Sequence, residues 1–192
     1  MENYRYIIVG AGLAGGTAAE EIRKIDHDGG ILLVGKESNR PYNRPPLSKE
    51  LWRDSYELED IYLEDESYYT GQKIDLRLGT EIVALGPADK LITDRHGETY
   101  QYEKLLLATG GAPRKLTIPG GDLEGIYYYR YVEDYLRLRE EAKPGKRALI
   151  IGGGFIGSEM SAALTRKGVQ VTLLFPEAYI VSRVFPKDLG KF

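Results

Sequence analysis

Two glycine turns of one design occur in this chain. Gly10-Ala11-Gly12-Leu13-Ala14-Gly15 follows the apolar run Tyr6-Ile7-Ile8-Val9, and Gly152-Gly153-Gly154-Phe155-Ile156-Gly157 follows Ala148-Leu149-Ile150-Ile151. Each reads as a strand, a tight turn and the start of a helix. The first glycine permits the turn, the second lets backbone approach a phosphate, and the third lets the helix pack on the strand. A helix that begins in this way aims its first N–H groups at a pyrophosphate. One match constrains little. Two, each in strand-and-helix context, limit the chain to an α/β fold with an internal repeat. They point to two dinucleotides on one molecule, and so to electron transfer between them.

Composition narrows the chemistry further. The chain has 192 residues, a net charge of −3 and no cysteine. Its length suits one large domain or two small ones. The mild acidity argues against a nucleic-acid partner, which selects basic surfaces. Without a thiol, the protein cannot reduce disulfides or peroxides through sulfur. Two histidines, His27 and His96, are too few and too far apart in sequence for a histidine metal centre. Redox chemistry must therefore belong to bound cofactors. No apolar run approaches the ~20 residues of a membrane span, and the N-terminus has no leader pattern. The expected setting is the cytoplasm.

Periodicity places the elements. A strand over 6–9 leads into a helix over Leu13–Ile25, with Ala14, Ala18, Ala19 and Ile22 as its buried stripe. Residues Ile31–Val34 are apolar throughout, as in a parallel strand covered on both faces. A long loop over 38–48 is rich in proline, and the acidic segment 51–69 is expected to be helical in part. Its Glu57, Glu59, Asp60, Glu64, Asp65 and Glu66 read as a solvated face. Short strands are expected at 76–78, 81–85, 90–94 and 99–102, forming a small antiparallel meander with a hairpin at His96-Gly97. A buried strand at 105–108, a linker at 113–121, an aromatic strand at 126–131 and a charged helix at 132–142 follow. The second unit then has its strand, a helix over 156–167 capped by Gly168, and a strand over 169–175. A strand, a helix and one more strand cannot cover both faces of a parallel sheet. The second unit therefore reads as incomplete, and the chain as the N-terminal portion of a longer polypeptide.

Three stretches carry a resemblance: Arg40-Pro41-Tyr42-Asn43-Arg44-Pro45-Pro46-Leu47-Ser48-Lys49-Glu50-Leu51-Trp52, Ala108-Thr109-Gly110-Gly111-Ala112-Pro113-Arg114, and 152–159 followed by Leu174-Phe175-Pro176-Glu177. In this order they are similar to apoptosis-inducing factor and the bacterial ferredoxin reductases, FAD-dependent and NADH-using flavoproteins with two dinucleotide-binding folds. The resemblance implies an FAD-binding domain over 1–115 and a truncated NAD-binding domain over 116–192, with the missing C-terminal half or another chain completing the fold.

The resemblance also distributes roles. Gly10, Ala11, Gly12, Leu13, Ala14 and Gly15 take the FAD pyrophosphate. Lys36 and Glu37 stand where the family has acidic residues; Glu37 is the natural ribose acceptor, and Lys36 departs from the pattern. Arg44 reaches FAD, and Lys49 sits near the reactive part of its ring, where a cation eases reduction. Ile82 matches an adenine-contacting position, or is plain core. Ala108, Thr109 and Gly110 resemble the turn beside FAD, and Arg130 an FAD-contacting arginine. Gly152, Gly153, Gly154, Phe155, Ile156 and Gly157 match the nicotinamide-nucleotide loop, with Phe155 either a movable gate or a core phenylalanine. Glu159 resembles a glutamate paired with the loop lysine, here Lys49; its ordinary alternative is a favourable place near a helix start. Glu177, just past a strand end, can accept from the adenosine ribose and so favours NADH over NADPH. Arg183 matches a dinucleotide-touching position but could also neutralise a 2′-phosphate.

The implied activity is hydride transfer from NADH to FAD, with electrons passing on to an acceptor such as a ferredoxin or Rieske-type protein. Lys49 and Glu159 are expected nearest the chemistry. Two other readings remain open at this point: a redox-responsive signalling flavoprotein with low turnover, and an inactive fragment.

Overall fold

The computed structural model describes residues 2–191. The chain divides into two compact units, one of residues 1–44 and 59–112, the other of Pro45–Leu58 and Pro113–Phe192. The Pro-rich stretch from Pro45 onward thus groups with the second unit, although it lies within the first in sequence.

The first unit is built on a six-stranded sheet. Its elements are β1 (Glu2–Val9), α1 (Leu13–Ile25), β2 (Ile31–Val34), α2 (Glu66–Gly71), β3 (Ile74–Arg77), β4 (Ile82–Gly86), β5 (Leu91–Asp94) and β6 (Thr99–Leu107). The strand order is β3-β2-β1-β6-β5-β4. β3, β2, β1 and β6 run parallel, with Ile7 opposite Leu32 on one side and Leu105 on the other. β4 and β5 add an antiparallel extension. β2 is fully buried because both its faces are covered. Ile31 and Leu33 pack with Ile8, Ala19 and Tyr69, while Leu32 and Val34 pack with Ile7, Val9, Ile92 and Tyr100. This double burial is why its sequence is an unbroken apolar run.

Several expectations are corrected here. The strand read at 76–78 belongs to β3, which joins the parallel sheet beside β2 rather than the meander. The strands read at 99–102 and 105–108 are one strand, β6, because β1 is longer than its apolar core and pairs with β6 from Glu2 onward. The inward stripe of α1 omits Ala14, which is exposed; Gly15, Gly16, Ala19 and Arg23 are buried, and Ala18 and Ile22 pack half-buried against the core. The segment 51–69 is helical in part, as expected, with single turns at Glu50–Arg53 and Leu58–Ile61 and then the start of α2. Of its acidic residues only Glu64 is half-buried.

Arg23 is the buried cation that the hydrophobic pattern conceals. Its guanidinium donates to the carbonyls of Gln72, Asp26, Gly29 and Lys73, at 2.7 to 3.0 Å. It ties the end of α1 to the α2–β3 connection and satisfies carbonyls that no strand reaches.

The second unit contains α3 (Val132–Glu141), β7 (Arg147–Ile151), α4 (Phe155–Arg166), β8 (Gln170–Leu174) and the short α5 (Lys187–Lys191). β7 and β8 form a parallel pair. Met160, Ala163 and Leu164 of α4 are buried, whereas Leu149, Ile151 and Leu174 of the strands are exposed. The aromatic strand read at 126–131 does not form. Its tyrosines instead serve irregular backbone: Tyr128 donates to Gly121 O and accepts from Leu116 N, and Tyr129 donates to Leu47 O and accepts from Trp52 Nε1. These hydroxyls anchor loops that a ladder could not follow.

One ion pair makes stability respond to acid. Asp26 accepts from Arg5, from Tyr6 and from the N–H groups of Asp28 and Gly29. The Arg5 guanidinium, followed by the Gly29 N–H, holds its carboxyl well below the ordinary range. A depressed carboxyl stabilises the fold above its unfolded-state value and loses that contribution as the pH falls. Asp26→Asn is therefore expected to lower the denaturation midpoint at pH 7. The gap to wild type should close as the pH drops below about 4, followed by thermal melts across the acid range.

Candidate functional site

The first glycine turn lies where three strand ends meet. Gly10 donates to Val34 O at 2.7 Å, and Ala108 donates to Val9 O at 2.8 Å. Gly10 has φ +118°, and a Cβ there would strike the Ala108 carbonyl and the Thr109 nitrogen. A Cβ at Gly15 would run into Gly10 O. Gly12 differs. Its φ of −89° is open to any residue, and a Cβ there would meet only Arg44 Nη2, at 4.0 Å. Nothing among the described residues accounts for the missing side chain at Gly12. Gly12 caps α1 without a side-chain hydrogen bond, and the first turn of α1 holds no acidic residue. The helix therefore opens on N–H groups that its own cap leaves unsatisfied. Ala11 is buried against Gly35, where a Cβ would hit the Ala11 side chain, while Leu13 and Ala14 face outward. Thr109 and Gly110 continue from β6 beside this turn, with Gly110 at φ +67°.

Charged groups surround that turn. Glu37 follows β2; its Oε1 pairs with Arg44 Nη2, and its Oε2 accepts from the Tyr42 hydroxyl at 2.6 Å. Lys36 turns away to an exposed pair with Glu81 at 2.9 Å. Lys36, with Arg95 beside it, holds the Glu81 carboxyl below its usual range. The departure at Lys36 thus leaves Glu37 alone on the side of Arg44. Ile82, at the start of β4, is half-buried against the cluster around Ile92, as a core residue would be.

The second turn, in the other unit, repeats the design. Gly152 has φ +116° and donates to Leu174 O at 2.8 Å. A Cβ at Gly157 would run into Gly152 O, and one at Gly153 would press on the Phe175 ring. A Cβ at Gly154 would meet nothing within 4 Å. Gly154 caps α4 with no side-chain bond, and again no acidic residue occupies the first turn. Phe155 is 50% exposed and stands edge-on to Phe185 at 6.1 Å. Ile156 is likewise half exposed. Val181 N donates to Gly153 O at 2.7 Å, so the segment after β8 folds back on the glycine loop. On that segment Glu177 and Arg183 stand 3.7 Å apart, with Arg183 almost fully exposed.

In the same unit Glu159 is held at both oxygens by consecutive residues. Lys49 Nζ lies 3.3 Å from Oε1, and Ser48 Oγ donates to Oε2 at 2.6 Å. Glu159 is beyond the first turn of α4, so these partners explain its place better than the helix dipole does. Arg130 is half-buried just before α3, its backbone N–H bonded to Asp134. Tyr42, Ser48 and Gly35 were not singled out from sequence. The first two lie inside the Pro-rich string, where only their hydrogen bonds distinguish them from packing residues.

These geometries separate two kinds of glycine. Gly157→Ala forces a Cβ into a backbone carbonyl and is expected to cost about 1–3 kcal/mol. Gly154→Ala adds a methyl to open space and is expected to stay within about 1 kcal/mol of wild type. Chemical denaturation of the two variants side by side checks the difference.

Comparison with known proteins places the chain in a wider group. Residues 4–192 match the family model described as pyridine nucleotide-disulphide oxidoreductase. The chain is 40% identical over 178 residues to rubredoxin-NAD(+) reductase of Pseudomonas putida, covering 93% of this chain and 46% of that protein. It is 39% identical over 192 residues to the 3-phenylpropionate/cinnamic acid dioxygenase ferredoxin--NAD(+) reductase component of Photorhabdus laumondii, covering 100% of this chain and 48% of that one. Among solved structures, the covalent putidaredoxin reductase–putidaredoxin complex superposes with a TM-score of 0.91 at 33% identity, over 99% of this chain and 46% of that one. The chain thus spans about half the length of these relatives. No helix among the described residues is long and apolar enough to cross a membrane. The match along nearly the whole chain makes it a member of the pyridine nucleotide-disulphide oxidoreductase family.

Proposed function

We propose that this chain is the dinucleotide-binding part of an NADH-dependent flavoprotein reductase that passes electrons to a small redox protein such as a ferredoxin. The observation that carries this reading is the pair of unexplained glycines. Gly12 and Gly154 each lack a side chain that the protein itself would tolerate, and each opens a helix whose cap leaves N–H groups unsatisfied. A pyrophosphate fits both facts, since it needs close backbone approach and supplies the missing acceptors. The names of the relatives, reductases of rubredoxin and ferredoxin linked to NAD(+), indicate which dinucleotides and which class of acceptor.

FAD held there would supply the hydride-accepting and one-electron-releasing chemistry that the chain's own side chains lack. The chain's own residues bind and orient. The turn from Gly10 to Gly15 cradles the flavin dinucleotide's pyrophosphate, Arg44 offsets its charge, and Glu37 accepts from ribose hydroxyls. Ala108, Thr109 and Gly110 line the same turn, and Arg130 is assigned to FAD from the family pattern. Gly152 to Gly157 cradle NADH, with Phe155 and Ile156 on the exposed side of the loop. Glu177 accepts from the adenosine ribose and disfavours a 2′-phosphate. Lys49, its ammonium held by Glu159, is the cation proposed to ease flavin reduction. No side-chain acid or base is required for hydride transfer; positioning carries the rate.

The test uses the two glycines separately. Gly12→Ala is expected to yield colourless protein that no longer takes up FAD, with NADH binding retained. Gly154→Ala is expected to keep the flavin and lose NADH affinity by at least about tenfold, the scale of one obstructed contact. Flavin absorbance and NADH fluorescence titrations read both. Unaltered binding in both variants would contradict the proposal.

A further inference from the structure

The pair Glu37 and Arg44 converges on a third side chain that the proposed function leaves without a task. Tyr42 is 1% exposed. Its hydroxyl donates to Glu37 Oε2 at 2.6 Å and accepts from Arg44 Nη1 at 2.8 Å. The guanidinium carbon of Arg44 also stands 4.9 Å from the centre of the Tyr42 ring. Arg44 Nη2 closes the triangle on Glu37 Oε1. The ring is fixed independently of these charges. It lies edge-on to Tyr62 at 6.3 Å, and the backbone pairs with Tyr62 in an isolated antiparallel bridge.

A phenol can donate to a carboxylate and accept from a guanidinium at once, which a phenylalanine in the same space cannot. Both bonds are charge-assisted and so stronger than neutral ones. Glu and Arg side chains carry large rotamer entropy, and holding them before a ligand arrives reduces what binding must spend on ordering them. Lys36 turns to Glu81, which leaves the carboxylate of Glu37 to face Arg44.

We infer that Tyr42 is a positioning residue of the dinucleotide site at the first glycine turn, holding Glu37 for the adenosine ribose hydroxyls and Arg44 for the phosphate. The inference rests on the flavin reading above and deepens it. Glu37 recognises a hydroxyl only while its free lone pairs point at the ribose, and the Tyr42 bond sets that direction.

The experiment compares FAD with its analogue lacking the adenosine 2′-hydroxyl, titrated by flavin fluorescence against apoprotein of wild type and Tyr42→Phe. Wild type is expected to prefer FAD by about tenfold, the scale of one bond to a charged acceptor. Tyr42→Phe is expected to bind FAD more weakly and to shrink the preference to about twofold, because the loose carboxylate no longer reads the hydroxyl. Equal weakening toward both flavins, with the preference intact, would make Tyr42 a scaffold residue and overturn the inference while the flavin site stands. A wild type that binds FAD but does not discriminate would likewise overturn the inference, whereas one that takes up no FAD would overturn the underlying reading. Should the variant not fold, a crystal structure of the FAD-loaded wild type decides. A Tyr42 hydroxyl still bonded to Glu37 supports the inference, and one turned away overturns it.

Discussion

The carbonyl of the first glycine lies against the Cα of the glycine five residues on, in both turns, and neither contact leaves room for a Cβ. This close approach obliges a helix to begin directly where a strand stops. In the first unit the same glycine also abuts the end of β6, so one turn joins β1, α1 and β6. The consequence is chemical as well as architectural. A helix started this way presents its N–H groups at the carboxyl edge of a parallel sheet, where open α/β folds take their ligands. The lack of a capping side chain at Gly12 and Gly154 leaves those groups available.

Polar side chains then convert a general anion cradle into a selective one. In the first unit a carboxylate, a phenol and a guanidinium form a compact triangle, each bonded to the other two, and the proposed selection rests on it. In the second unit a carboxylate past β8 stands on a segment folded back onto the glycine loop by the Val181 bond. Glu159, anchored by Ser48 and Lys49, binds the Pro-rich stretch to α4. Where reactive atoms are borrowed from a cofactor, only their surroundings belong to the chain.

Where local chemistry determines structure, the sequence is readable. The helix over Leu13–Ile25 and the strand over Ile31–Val34 follow from glycine turns and an unbroken apolar run. The aromatic stretch 126–131 misleads, because tyrosine is as suited to hydrogen-bonding loop carbonyls as to lining a sheet. The continuity of β6 and the parallel placement of β3 are set by distant partners, β1 and β2, which no window of neighbouring residues contains. Arg23 was hidden for a related reason: its carbonyl partners come from segments up to fifty positions away. In the candidate site, the glycines stand out by type and spacing, and most of the charged residues only by resemblance to a family pattern. Tyr42 and Ser48 do not, since a buried tyrosine or serine acquires meaning only from what its hydroxyl reaches.

The most direct measurement is an anaerobic titration of FAD-loaded protein with NADH, followed in the flavin's visible absorbance. Two cradles acting in one molecule predict that the yellow colour bleaches in proportion to added NADH and returns when a ferredoxin-type acceptor is supplied. Protein that holds FAD yet keeps its colour under excess NADH would contradict the account.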